Sequence, residues 1–224
     1  MMNPDSLVES GAALISLGRW LQRTFPAVGT PGAQSGEDEI LAELLPEPAG
    51  VYVDVGANHP VECSNTWRLY ERGWRGLLVE PLPECWHALL RQRPLDRLCP
   101  VAASDRRGYA RLRVCRTVSS LRPDWPIDEQ GQLYVETDTL ANILETYTMG
   151  PVDLLSIDVE GHEREVLTGM DWQRCLPRVV CIEYRDYNRA QLGEDVSAAW
   201  SPILAGRGYR LHATTALNQI WVRS

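Results

Sequence analysis

Three ionisable side chains recur at alternate positions in the run Leu155-Ser-Ile-Asp158-Val-Glu160-Gly-His162-Glu163. An extended chain sends every second side chain to the same face, so Asp158, Glu160 and His162 converge if the backbone stays extended through them. Glu183, at the end of a later apolar run, can join them. Two chemistries suit such a set. In one, His162 or a carboxylate takes a proton, and an imidazole with an ordinary pKa of about 6.5 is suited to that work near neutral pH. In the other, the carboxylates and His162 hold a divalent cation that orients a bound molecule. A third reading is structural: Glu160 and Glu163 cap a helix start and His162 faces solvent. Asp158, Glu160 and His162 are the candidate catalytic residues, and no metal is assigned.

A second group lies upstream. The run Val51-Tyr-Val-Asp54-Val-Gly56-Ala57-Asn58 ends an apolar segment in a glycine turn, where a backbone can bend sharply and admit a ligand. Asp54 sits one step inside that end, placed to receive a positive amino group or a water. Glu80 closes the next apolar run, 24 residues beyond Gly56, where a carboxylate can accept the two hydroxyls of a ribose. The turn lacks the fingerprint of a dinucleotide site, because Asn58 and Val61 stand where glycines are required.

These residues need a scaffold that brings strand ends together. Strand-like runs at 51–55, 76–79, 98–101, 153–157 and 178–182 alternate with helical segments at 64–71, 83–92, 140–147, 163–170 and 196–205. That alternation predicts an α/β fold with a mostly parallel, doubly wound sheet. Residues 209–213 and 219–223 flank a turn and predict a closing antiparallel hairpin. Residues 109–115 alternate like an edge strand, and 116–132, with Pro123, Pro126 and Gly131, read as a long loop. Residues 7–21 have helical spacing, and 26–36 are rich in Pro, Gly, Thr and Ser. The division expected is therefore a helix and linker over 1–36, then one domain over 37–224.

Composition narrows the function. The net charge of −8 disfavours nucleic acid as a partner, and no apolar run reaches the length of a membrane span. The chain has no lysine, so a P-loop and a Schiff base are excluded. Its six cysteines show neither C-x-x-C nor zinc spacing, which fits reduced thiols in a cytoplasmic protein.

Five motifs in order make the resemblance specific: Val53-Asp-Val-Gly-Ala-Asn58; Ser64-Asn-Thr66; Tyr70-Glu-Arg-Gly-Trp-Arg-Gly-Leu-Leu-Val-Glu80-Pro81; Ser119-Ser-Leu121; and Leu155-Ser-Ile-Asp158-Val-Glu160-Gly-His-Glu163 with Val166-Leu167 and Gly169. Together, from about residue 37 to 183, they resemble FkbM-type methyltransferases. The resemblance implies a Rossmann-like methyltransferase fold, S-adenosylmethionine as methyl donor, and a hydroxyl of a glycan or natural product as acceptor. By similarity, Asp54, Gly56, Ala57, Asn58, Ser64, Asn65, Thr66, Glu80, Pro81, Ala102, Ser104 and Asp158 bind the donor. His59-Pro60 departs from the family's usual small or acidic residue after the turn. On the acceptor side, Ser120, Trp125, Glu183, Arg185 and Tyr187 are the candidates, on segments longer than an α/β core requires. Trp125 and Tyr187 offer flat faces, and Arg185 offers hydrogen-bond donors. A homodimer is a possible assembly, and the alternative function is a non-catalytic subunit that binds the donor for a partner enzyme.

Overall fold

The computed structural model describes residues 31–224 apart from 116, 117, 126, 128, 189 and 190, and describes 186–188 and 191–194 by backbone alone. The helix expected over 7–21 lies outside the described residues. No helix among those described is long and apolar enough to cross a membrane.

The chain enters through α1 (Glu37–Leu44) and then alternates: β1 (Val51–Val55), α2 (Trp67–Glu71), β2 (Arg75–Val79), α3 (Pro83–Gln92) and β3 (Arg97–Cys99). Three strands follow outside the main sheet, β4 (Ala102–Ser104), β5 (Gly108–Val114) and β6 (Gly131–Thr139). Next come α4 (Leu140–Thr146), β7 (Leu154–Ile157), α5 (Glu163–Thr168) and β8 (Val179–Glu183). The hairpin β9 (Arg185–Asn188) and β10 (Gln191–Asp195), a 3₁₀ turn at Ser197–Ala199, α6 (Ser201–Ala205), β11 (Tyr209–Thr214) and β12 (Asn218–Arg223) complete the chain.

The main sheet has the order β3-β2-β1-β7-β8-β12-β11. Every neighbouring pair from β3 to β8 is parallel, and β12 inserts antiparallel against β8 and β11. The mostly parallel sheet with a reversed closing hairpin is the architecture expected from the sequence. Alternate side chains of each central strand feed two apolar layers. Val53, Leu77, Leu155 and Val180 pack with α4, α5 and α6, while Tyr52, Leu78, Leu154 and Cys181 pack with α1, α2 and α3. Burial on both faces explains why these strands read as near-continuous apolar runs. Fully burying one such aliphatic side chain contributes about 1.5–3 kcal/mol.

Two local rules shape the connections. Pro83 at the first position of α3 loses no hydrogen bond there, because that N–H would have no partner within the helix. Thr139 caps α4 by accepting from the N–H of Asn142 at 3.2 Å. The third strand expected at 98–101 is shorter than predicted: Pro100 has no N–H to give a ladder, and the chain leaves the main sheet after Cys99. Residues 102–104 instead pair parallel with β6, which also pairs antiparallel with β5. Residues 133–139, to which the sequence reading assigns no element, thus form the centre of a small second sheet. Beside the acceptor candidates Arg185 and Tyr187, β9 and β10 pair antiparallel.

Candidate active site

The carboxyl ends of β1, β2 and β7 open into one cleft. Ligands bind at this edge of a doubly wound sheet because the strand order reverses there and the loops splay apart. Gly56, Asn58, Glu80, Pro81, Ala102, Asp158, Glu160 and His162 line it, all named from the sequence. Val79, Leu82, Ala103, Leu112 and Leu121 add an apolar wall. Leu112 comes from β5, so the small sheet closes one side of the cleft.

Gly56 turns with φ of 83°. A Cβ there would stand 1.8 Å from the carbonyl oxygen of Asp158, so no other residue fits. The Gly56 N–H donates to Val79 O at 2.9 Å, which ties the turn to β2. Glu80 lies 4% exposed. Its two carboxylate oxygens accept from the backbone N–H groups of Asn58 and Leu82, each at 2.8 Å. Those bonds aim the group while each oxygen keeps a further lone pair for a ligand. Burial pushes the Glu80 carboxyl up to about 7, against the pull of its two N–H donors.

Several residues expected at the donor are not among those lining the cleft. Asp54 is buried and accepts from the Thr66 hydroxyl at 2.5 Å, with the Arg93 guanidinium 3.9 Å away. Burial raises its carboxyl above the usual range, and Arg93 opposes that shift. Arg93 is 1% exposed and donates to Asp96 (2.8 Å), Tyr52 (2.6 Å), Thr66 (2.9 Å) and Ser64 (3.3 Å). Asn65 donates to Ser156 at 3.3 Å. The hydroxyls of Ser64 and Thr66, read as partners for a ligand carboxylate, therefore belong to a buried ion network behind the turn. Ala57 packs into the apolar layer beside α1–α3. Ser104 meets His162 rather than the cleft. In the departing loop, His59 Nδ1 accepts from the N–H of Glu62 at 2.8 Å and so shapes its own turn.

The acidic run after β7 does not stay extended. Glu160 has φ of 54° and Gly161 of 92°, left-handed positions that break the alternation. Oxygens of Asp158, Glu160 and Glu183 still come within 4.8 Å of one another, a spacing from which a cation could be held. His162 departs from them. Its Nε2 lies 3.0 Å from Ser104 Oγ, and its Nδ1 lies 3.7 Å from Glu165. Burial lowers its pKa, which Glu165 opposes. Burial holds the Asp158 carboxyl above its ordinary range, and the neighbouring Glu183 side chain opposes that shift. Glu163 accepts from the N–H groups of Val159 (3.2 Å) and Gly161 (3.1 Å), so it fixes the turn before α5 rather than capping the helix.

The acceptor candidates separate likewise. Ser120 and Trp125 are buried, at 0% and 5% exposure, and both bond Glu160. Ser119 and Leu121, the flanks of Ser120, face the cleft instead. Arg185 is half-buried with its guanidinium over the Tyr184 ring, and the Tyr187 side chain lies outside the described residues. Sequence reasoning missed Arg93, because a lone arginine at a helix end carries no motif. It also passed over Glu37, which is wholly buried and accepts from Thr215 and Asn218.

The family model described as "Methyltransferase FkbM domain" matches residues 54–211. Among solved structures, methyltransferase FkbM from Methylobacillus flagellatus aligns at 16% identity and a TM-score of 0.50 over 78% of this chain. This chain spans only 44% of the length of that protein. A TehB-like SAM-dependent methyltransferase from Corynebacterium glutamicum aligns at 12% identity and 0.47, over 99% of this chain and 100% of that one. An N1-methyltransferase from Burkholderia thailandensis, solved with bound S-adenosylhomocysteine, aligns at 14% and 0.45, over 84% and 76%. Comparison with curated proteins found no match. The chain belongs to the FkbM family of S-adenosylmethionine-dependent methyltransferases.

Proposed function

We propose that this chain moves a methyl group from S-adenosylmethionine to a hydroxyl of a glycan or another small molecule. The observation that carries this reading is a cleft with an apolar wall, the Glu80 carboxylate on β2's side and Asp158 and Glu160 on β7's side, with Glu183 at the end of β8 within 4.8 Å of both. The chemistry of the cleft fits the donor. Leu82, Ala102, Ala103, Leu112 and Leu121 suit an adenine ring, Glu80 accepts the ribose hydroxyls, and the bare backbone at Gly56 lets the methionine end approach. When bound, the donor supplies an electrophilic methyl group.

The chain's own residues then orient and deprotonate the acceptor. Asp158 lines the cleft with oxygens of Glu183 within 4.8 Å of its own, and burial raises its affinity for a proton. We assign the base to this pair rather than to His162, whose Nε2 is engaged by Ser104. The convergence of the three carboxylates favours a second reading, a divalent cation that orients the acceptor hydroxyl, in which chelator abolishes transfer and Mg²⁺ restores it.

Transfer from methyl-labelled donor to a panel of sugars, polyketide alcohols and amines tests the acceptor class. Labelled ethers are expected, and labelling confined to amines would overturn it. On the acceptor found, Asp158→Asn should lower turnover about 10²–10⁴-fold with S-adenosylhomocysteine still bound, whereas His162→Ala should change it only a few-fold. The opposite ranking returns the base to His162.

A further inference from the structure

Glu160 stands in a conformation that its own backbone does not favour. Its φ of 54° is left-handed, a region in which a residue with a side chain is strained by about 1–2 kcal/mol. Three contacts from the segment between β5 and β6 hold it there. The Trp125 indole N–H donates to Glu160 Oε2 at 3.1 Å. The Ser120 hydroxyl donates to the Glu160 carbonyl at 2.6 Å. The Trp125 ring lies over Gly161, where a Cβ would come within 2.4 Å of it. Arg113 in turn fixes the tryptophan by donating to its carbonyl at 2.7 Å. Trp125 is 5% exposed, so this indole is spent on the turn rather than offered to an acceptor.

The anchored carboxylate lines the same cleft as Gly56 and Glu80. We infer that Trp125 is a positioning residue that holds the Glu160 carboxylate toward the sulfonium end of the bound donor. The inference rests on the donor reading above and adds to it a source of discrimination. S-adenosylmethionine carries a positive sulfur and S-adenosylhomocysteine a neutral one. A fixed carboxylate a few ångströms away in a half-desolvated cleft favours the first over the second. The spent product is thereby released more readily than the donor.

Calorimetry with these two ligands, in chelator so that no cation screens the carboxylates, tests it without an acceptor. Glu160→Gln should shift the ratio of the two dissociation constants toward S-adenosylhomocysteine by roughly tenfold. Trp125→Phe keeps a ring over Gly161 but removes the N–H, and should shift the ratio the same way by about three- to fivefold. In the Glu160→Gln background, Trp125→Phe should shift the ratio no further. Ser120→Ala provides a second variant if Trp125→Phe does not fold, with a shift in the same direction. Equal weakening of both ligands by these variants means a merely structural role and overturns the inference, as does a ratio shift that persists without the Glu160 charge. A wild-type protein that binds neither ligand overturns the donor reading itself.

Discussion

Replacing Glu80 by glutamine separates two effects that a carboxylate in this place combines. The side chain is buried and bonded to two backbone N–H groups at 2.8 Å. Its carboxyl is displaced from 4.5 to about 7, and each pKa unit is worth about 1.4 kcal/mol, so the ionised form costs the empty protein roughly 3 kcal/mol. The folded value lies above the unfolded one. The stability this group contributes is therefore present below about pH 4.5 and is lost as pH rises through about 7. Glutamine removes that slope. It also turns an NH₂ toward a backbone N–H, which costs about 1–3 kcal/mol for the bond not made. At pH 8 the two terms nearly cancel, and urea denaturation should find the variant within about 1 kcal/mol of wild type. At pH 5 the wild type should be the more stable. Donor affinity should fall about 10–100-fold, because two hydroxyls lose a charged acceptor. Titration of S-adenosylhomocysteine at pH 5 and pH 8, beside the denaturation curves, reads both. Equal affinity in the two proteins refutes the ribose assignment, and a pH-independent stability difference refutes the buried-carboxylate argument.

Gly56→Ala should abolish detectable S-adenosylhomocysteine binding and lower the thermal midpoint, since its Cβ would meet Asp158 O at 1.8 Å; a variant that binds normally would show that the turn has room to relax. Arg93→Met should destabilise the fold by about 3–5 kcal/mol in urea, because it strands Asp96 and Asp54 as buried carboxylates. A loss below 1 kcal/mol would mean that these acids simply take up protons.

The elements that the sequence announced most clearly are those with one signal and no competitor. Pro83 and the apolar spacing behind it mark α3 at its observed limits, and the apolar runs mark β1, β2, β7 and β8 to within a residue or two. The strand β6 went unassigned although Leu133, Val135 and Thr137 alternate inward against exposed Tyr134 and Glu136, because the glycines and prolines before it suggested a longer loop. At the site, the positions of Gly56 and Glu80 were legible since strand ends in a parallel sheet converge by geometry. Directions of side chains were not. Asp158, Glu160 and Glu183 come together as expected, but left-handed Glu160 and Gly161 break the alternation and His162 departs, and Thr66 turns inward because of Arg93, far away in sequence. Trp125, equally readable from the sequence as a pocket wall or a loop anchor, has its indole N–H on Glu160.

The fit of Gly56 beneath the carbonyl of Asp158 has a mechanical consequence. The two crossover loops, one after β1 and one after β7, touch backbone to backbone, and the N–H of Asp158 is itself bonded to Val55 O at 2.9 Å. Neither loop has independent travel. At this point a shift of one backbone must displace the other, with no side-chain relay between them.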